Sequence, residues 1–416
     1  MAYDVLIRNG LLVTMAQGCP VIEDGAVLIK DQIITDIGRT VDFSGVDVKE
    51  QIDATQKIIM PGLINCHTHL PMSMFRGMAD DLPLDVWLND HIFPAEARLV
   101  NPESVERWSR HSCQEMLLAG TTTCCDGYFH EEHVVRAMQD CGIRAVAGQG
   151  VIDFPAPGVP DPGQNVASAR AFVEKIRRAF SIIYPSIFCH SPYTCSKKTL
   201  TAAKQAANEL GVVFQIHVAE TRNEINMIQG LDGRTIVEYL DILGILDEKT
   251  VLVHAIWIND TDIQRIKDSG ASVVHCPESN MKLASGICPV TRLLGHDVPV
   301  GIGTDGCASN NDLDLFSEMD TAAKLHKVAL LDPCAMDALT TLKMTTIQAA
   351  KVIGLDHMTG SIEKNKQADI ILVDLDKPHL IPLFNPYSSL VYSAKSSDVS
   401  LVMVGGKILV QNGRIV

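Results

Sequence analysis

The sequence predicts an α/β fold: a (β/α)₈ TIM-like barrel over residues 61–362, with residues 1–60 and 363–416 joined into a small β-sandwich domain. Three observations carry that expectation. From about Pro61 onward, short apolar runs alternate with helical patterns, and eight such runs can be counted. Several of these runs end in a histidine or a carboxylate. The two chain ends share a different texture, short strands broken by turns.

Residues 3–60 carry strand candidates at Asp4–Ile7, Leu11–Thr14, Gly25–Lys30, Ile33–Ile37 and Lys57–Ile59, with Gly10, Asp31 and Gly38 as breaks. The barrel strands begin with the run into His67. They continue at Thr122–Asp126, Arg144–Val151, Ser186–Cys189, Val212–Val218, Thr250–Ala255, Ala271–Cys276 and Val298–Gly303. Asn101-Pro102-Glu103 opens a helix that runs through Met116, with Pro at its first position and Gly120 as its stop. Further helical patterns lie at Asn165–Phe180, Ser196–Leu210, Thr235–Leu243 and Leu315–Val328. Beyond Glu363 strands return at Asp369–Val373, Val399–Val404 and Lys407–Val410, which suggests that the two ends pair. The Pro/Gly-rich stretch Phe154–Gly163 is expected to be a barrel loop over the site.

A chain of 416 residues can bury a substantial core, and 46% hydrophobic with 20% charged residues is ordinary for a globular protein. A formal net charge of −15 argues against nucleic acid as a partner, because phosphate backbones call for basic patches. Met1-Ala2-Tyr3-Asp4-Val5 lacks the basic start and apolar core of a signal peptide. No apolar run approaches the roughly 18 residues a membrane helix needs. The expected location is therefore the cytoplasm and the expected partner a small-molecule substrate, with a homo-oligomer left open. Twelve cysteines are scattered without a Cys-x-x-Cys pair, as reduced, buried cysteines would be.

His67 and His69 close the run Pro61-Gly62-Leu63-Ile64-Asn65-Cys66. On an extended strand, alternate side chains share a face, roughly 6–7 Å apart, so two imidazoles can grip one ion. Taken alone, His-x-His equally marks polar residues where a strand meets a loop. The other strand ends weigh against that. His190 follows Ser186–Cys189, and His217 follows Val212–Ile216 with Glu220 three residues on. His254 follows Val251–Val253, and Asp305 follows Val298–Thr304. Such barrels place their chemistry at the C-terminal strand ends.

Three neutral imidazoles and one carboxylate suit Zn²⁺, or Fe²⁺ and similar ions, and such an ion lowers the pKa of a bound water towards 7. Glu220 is the general acid–base candidate, its bland alternative being a carboxylate that caps the helix opened by Thr221-Arg222-Asn223. His254 alone would read as a core histidine; its place in the series makes it a site residue. His275 also ends a strand. Trp87, after the acidic Asp80-Asp81-Leu82-Pro83-Leu84-Asp85, is either a core aromatic or a wall of the site.

Pro61–His69 followed by Met74-Phe75-Arg76-Gly77 resembles the amidohydrolase superfamily, in its deaminase and chlorohydrolase branch. His275-Cys276-Pro277-Glu278-Ser279-Asn280-Met281-Lys282-Leu283 and Gly303-Thr304-Asp305-Gly306-Cys307-Ala308-Ser309-Asn310-Asn311 point the same way. Within that branch the chain resembles the 5-methylthioadenosine/S-adenosylhomocysteine deaminases, over nearly its whole length. The resemblance implies that His67, His69, His217 and Asp305 hold the metal. It implies that Glu220 carries a proton to the purine ring, that His254 stabilises the attacking water and the tetrahedral centre, and that Asp305 accepts the water's proton. Glu96 matches a glutamate that holds ribose hydroxyls, and His190 a residue that contacts the purine. Binuclear relatives carry a bridging carboxylated lysine on the fourth strand; Ser186–His190 has none, so one metal is expected. The arginines that meet the homocysteine carboxylate in some members have no clear equivalent around Val151–Gly163.

The activity implied is hydrolytic deamination at C6 of an adenosine-type nucleoside, such as 5′-methylthioadenosine, S-adenosylhomocysteine or adenosine. Rivals keep the site and change the substrate, as in s-triazine chlorohydrolases or guanine and pterin deaminases. Glu96 favours a nucleoside, since a bare ring offers no vicinal hydroxyls. A non-catalytic binding protein on the same fold is a further alternative, against which a complete metal set with Glu220 and His254 argues.

Overall fold

The structure, a computed structural model, describes residues 3–18, 20–228 and 230–416. The chain divides into two compact units. One comprises Met1–Asn65, Gln114–Thr123 and Asp314–Val416; the other comprises Cys66–Cys113 and Cys124–Leu313.

The first unit is built on a sheet of nine strands. Their spatial order is Arg414–Ile415, Lys407–Gln411, Val399–Val404, Ile370–Asp374, Lys57–Pro61, Tyr3–Val13, Val21–Lys30 and Ile33–Arg39, with Val48–Asp53 paired alongside Tyr3–Val13. The chain ends meet where Ile370–Asp374 runs antiparallel to Lys57–Pro61, Ile371 opposite Met60 and Leu372 opposite Ile59. Strand alternation explains the packing. Val5, Ile7, Val27 and Ile29 enter one core, while Leu6, Ala26 and Leu28 enter another around Phe43.

Two details of this sheet differ from expectation. Asp4–Ile7 and Leu11–Thr14 belong to one strand, Tyr3–Val13, and Gly10 is a bulge within it rather than a break. The register slips on both sides of Gly10, Asn9 adopts φ 66°, and a Cβ at position 10 would lie 2.6 Å from the Ile59 side chain. Val48–Asp53, unforeseen from the sequence, pairs in parallel with Tyr3–Val13. Its side chains are mostly exposed, so it has no apolar alternation to announce it.

The barrel strands are Leu63–Thr68, Thr121–Tyr128, Arg144–Val151, Ile183–Cys189, Phe214–Val218, Thr250–His254, Ser272–His275 and Val300–Ile302, neighbours in chain order. From the third strand to the eighth each pairing is parallel. All eight are buried almost throughout, as expected of strands covered on both faces. Helices between them start and stop on local chemistry. Ser196 caps Lys197–Leu210 by accepting the Thr199 N–H, and Gly211 ends that helix at φ 66°.

The second unit carries the C-terminal strand ends. There the eighth strand comes back to the first: the Asp305 N–H donates to the His67 carbonyl at 3.0 Å. A Cβ at Gly303 would stand 2.7 Å from the His67 nitrogen, so only glycine permits this approach. Among the described residues no helix is long and apolar enough to cross a membrane. All the described cysteines are free, and all but Cys141 and Cys334 are buried; Cys19 lies outside the described residues.

Candidate active site

His67 lies in the first strand, and His69 stands just past it, where the backbone (φ −128°, ψ 80°) turns into Leu70–Phe75. Their ring centroids are 4.7 Å apart. His217, opposite Val253 on the neighbouring strand, brings its ring to 5.0 Å from His67 and 5.4 Å from His69. One nitrogen from each ring lies within 4.8 Å of the others, and Nε2 of His67 and His217 are 3.1 Å apart. A tetrahedral ion with Zn–N bonds of about 2.0–2.1 Å sets its ligands about 3.3 Å apart, so one ion fits this spacing.

Burial keeps these imidazoles neutral. It pushes His67 down to about 4 and His69 and His217 down as well, leaving lone pairs for a cation. His69 Nδ1 lies 2.6 Å from the Gly127 carbonyl, which places its proton on Nδ1 and leaves Nε2 to bind. The three histidines form a site for one divalent metal, and their donor set suits zinc.

Asp305 adopts a left-handed backbone, φ 63°, and turns its Oδ1 to 3.5 Å from His67 Nε2 and 3.3 Å from His69 Nε2. Ser279 and Ser309 donate to its Oδ2 at 2.7 and 2.9 Å, and the Gly306 N–H donates to Oδ1 at 2.8 Å. Burial opposes its charge, but the hydrogen bond with His67 and the surrounding imidazoles hold the carboxyl well below the usual carboxylate range. His254 ends the sixth strand at φ 72°, with its ring 5.2 Å from that of His217. Its Nδ1 is 2.9 Å from Asn280 Oδ1, so the Nδ1 proton is donated there and Nε2 keeps its lone pair. Burial pushes its pKa down.

Glu220 and Glu224 divide two duties. Glu224 accepts the backbone N–H groups of Ala219, Glu220 and Thr221 at 3.0, 2.6 and 2.9 Å, so it caps this turn. The Glu220 side chain lines the pocket, with its Oε2 3.7 Å from His254 Nε2. Burial, with Asp305 adding, lifts its pKa to about 8, so it carries a proton at neutral pH.

Glu96 lies on the helix Phe93–Leu99, buried and hydrogen-bonded by the Tyr128 hydroxyl. Burial raises it to about 7 against that bond. His190 follows the fourth strand, its Nδ1 2.9 Å from Thr194 Oγ1 and its ring 5.3 Å from His217, and burial pushes it down to about 3. Trp87 is buried in the same wall. His67 lies against the rings of His69 and His217; every other expected site residue lines this one pocket. His275 is buried but lines no part of it.

Several neighbours were not foreseen. Asp126, on the second strand, accepts the Leu70 N–H at 2.7 Å and so holds the turn after His69. Tyr128 ends that same strand, and its position at a strand end was the available signal. Asn280 and Ser279 lie in the stretch His275–Leu283, but their partners are 26 residues away in the chain. Beside the inner pocket, with about 80 Å³ of free volume, lies a chamber of about 810 Å³. The two share Leu84, Leu88, Phe93, Tyr193 and Leu283. From the stretch expected as a loop over the site, Phe154 lines this outer chamber, its ring 5.5 Å from Phe93.

Comparison with known proteins bears on this arrangement. The amidohydrolase family model matches residues 58–409. A 5-methylthioadenosine/S-adenosylhomocysteine deaminase from Syntrophus aciditrophicus is 42% identical over 413 residues, 99% of this chain and 93% of that one. A 5′-deoxyadenosine deaminase from Methanothermobacter thermautotrophicus is 43% identical over 398 residues, 95% and 91% of the two chains. The crystal structure of an adenosine deaminase from Xanthomonas campestris with bound zinc superposes with a TM-score of 0.96 at 36% identity, covering 100% of this chain and 94% of that one.

Proposed function

The chain belongs to the amidohydrolase family, and from that premise we propose that it deaminates adenosine-type nucleosides by hydrolysis, giving the inosine analogue and ammonia. It is a hydrolase of the C–N bond of a cyclic amidine. Its substrates are 5′-methylthioadenosine, S-adenosylhomocysteine and related nucleosides. One observation carries the assignment: a buried Glu96, beside Tyr128, shares a single pocket with Glu220, His254 and the imidazoles. A carboxylate there has a use if the substrate brings ribose hydroxyls.

His67, His69, His217 and Asp305 would hold the ion, which when bound makes water nucleophilic near neutral pH. Glu220, protonated at pH 7, gives its proton to the purine ring nitrogen next to C6. His254, its Nδ1 proton committed to Asn280, offers Nε2 to the attacking water and holds it against C6. Asp305 takes the proton that the water releases and returns it to the amino group on C6, so that the C6–N bond breaks, ammonia leaves and the inosine-type product remains. Glu96 accepts from the ribose hydroxyls, His190 meets the purine, and Trp87 closes the wall.

The same proposal assigns residues 61–362 to catalysis and residues 1–60 with 363–416 to a supporting β domain. The net charge and the buried free cysteines support a small-molecule enzyme of the reducing cytoplasm rather than a nucleic-acid binder. The test is to incubate the purified protein with adenosine, methylthioadenosine, S-adenosylhomocysteine, guanine and a chlorotriazine, and to measure ammonia and chloride. Ammonia from the nucleosides is expected. Ammonia from guanine alone, or chloride from the triazine, would overturn the assignment.

A further inference from the structure

We propose that Asp126 and Glu131 share one proton and, as a pair, position His69 to hold the metal. The inference rests on the metal site and not on the identity of the substrate. His67 lies within the first strand, whereas His69 stands past its end at φ −128° and ψ 80°, so the strand ladder does not fix its ring. Two consecutive residues of the second strand fix it instead. The Gly127 carbonyl accepts the His69 Nδ1 proton at 2.6 Å, and Asp126 Oδ1 accepts the Leu70 N–H at 2.7 Å. The Leu70 carbonyl is held as well, by the Ser112 hydroxyl at 2.7 Å. The residue that follows His69 is thus clamped at both its N–H and its carbonyl.

Asp126 needs a partner of its own, because a carboxylate buried alone is costly. It is fully buried, and so is Glu131, the first residue of the helix Glu131–Cys141. Asp126 Oδ2 and both Glu131 oxygens have no side-chain donor among the described residues other than each other. Two carboxyl groups can hydrogen-bond only when one of them carries a proton, and here Glu131 donates to Asp126. Burial, with Asp126 adding, pushes Glu131 well above the usual carboxylate range, so it keeps that proton at neutral pH. The Glu131 N–H in turn donates to Gln149 Oε1 at 3.3 Å, which anchors the helix start. Neither carboxyl lines the pocket, so neither touches substrate. Their effect reaches the chemistry only through the turn that presents His69.

The experiment measures zinc affinity by competition with a chelating dye in the wild type, Asp126→Ala, Glu131→Ala, Asp126→Asn and Glu131→Gln. The melting temperature of each metal-free protein is recorded alongside. Partners that orient a ligand histidine are commonly worth about 10–100-fold in metal affinity, so both alanine variants should lose about that much. Each amide variant keeps a donor, an acceptor and one negative charge in the pair, and should bind zinc within about threefold of wild type. A purely structural role would lower the melting temperature and leave the zinc affinity of the folded protein unchanged. The proton has its own signature. The infrared difference between wild type and Glu131→Gln should contain the C=O stretch of a protonated carboxyl, and so should that for Asp126→Asn, in which Glu131 ionises. Alanine variants that bind zinc as well as wild type, or amide variants as weak as the alanine variants, would overturn the positioning role. Should the alanine variants fail to fold, the infrared comparison decides: the band in both differences supports the pair, and its absence from either overturns it. None of these readouts uses a nucleoside, so failure of this inference and failure of the deaminase assignment are told apart.

Discussion

In the inner pocket, the ionisable side chains are buried and their protonation is set by that burial: Glu220 rises to about 8, Glu96 to about 7, and His190 falls to about 3. In the outer chamber, Asp81, Asp85 and Arg222 are exposed, and Arg222 is ordered by an aromatic face rather than by a buried partner. The contrast separates two tasks. Desolvation strengthens every charge interaction at the place where bonds change, whereas a solvated rim can only favour one tail over another by modest, screened contacts. Substitutions inside should therefore act on kcat, and those outside on KM for particular substrates.

The largest effect expected inside follows from the metal set. Asp305→Ala removes a carboxylate that faces two imidazoles and should abolish turnover while lowering metal content from about one ion per chain. Turnover that survives verified metal removal would break the comparison at its root, because the inner pocket would then have no need of its ligands.

Next comes Glu220→Gln, which keeps size but cannot move a proton. General acid–base catalysis is worth about 10²–10⁴-fold, so kcat should fall at least a hundredfold with metal content and melting temperature near wild type. Since Glu224 already caps the turn, little stability should be lost. An active variant with reduced stability would place the proton shuttle elsewhere.

Glu96→Ala should cost about 10- to 150-fold in kcat/KM for nucleosides, the worth of a charged acceptor lost from two hydroxyls. Unchanged nucleoside kinetics would remove the ribose from the inner pocket.

Glu96 also makes stability depend on pH. An unfolded glutamate ionises near 4.5 and this buried one near 7, so the unfolded state releases its proton first as pH rises. Folding should lose about 2–3 kcal/mol through that window. Glu96→Gln has no such proton to lose. Urea unfolding at pH 5 and pH 7.5 should show the variant gaining on the wild type by that amount, and parallel stabilities at both values would argue against a desolvated Glu96.

Much of this was legible from the chain alone. The apolar runs ending at His67, His190, His217, His254 and Asp305 announce both the barrel and its chemistry, because strand burial and strand ends are written locally in hydrophobic pattern. What stayed hidden depends on approach between distant segments. Gly10 reads as a break until Ile59 is seen to need its missing Cβ. Two carboxylates four residues apart, Glu220 and Glu224, look alike in sequence; the left-handed backbone at Ala219 and the N–H groups around it decide which one caps and which one enters the pocket.

The sequence by itself thus determined the fold class, the order of strands and which residue types stand at the strand ends, since periodicity and turn chemistry act over a few residues. Tertiary structure alone decided the partners: Tyr128 for Glu96, 32 residues apart, Asn280 for His254, and Trp257 as the platform for Arg222. It also decided the protonation states, because desolvation depends on everything that packs around a group and not on its neighbours in the chain.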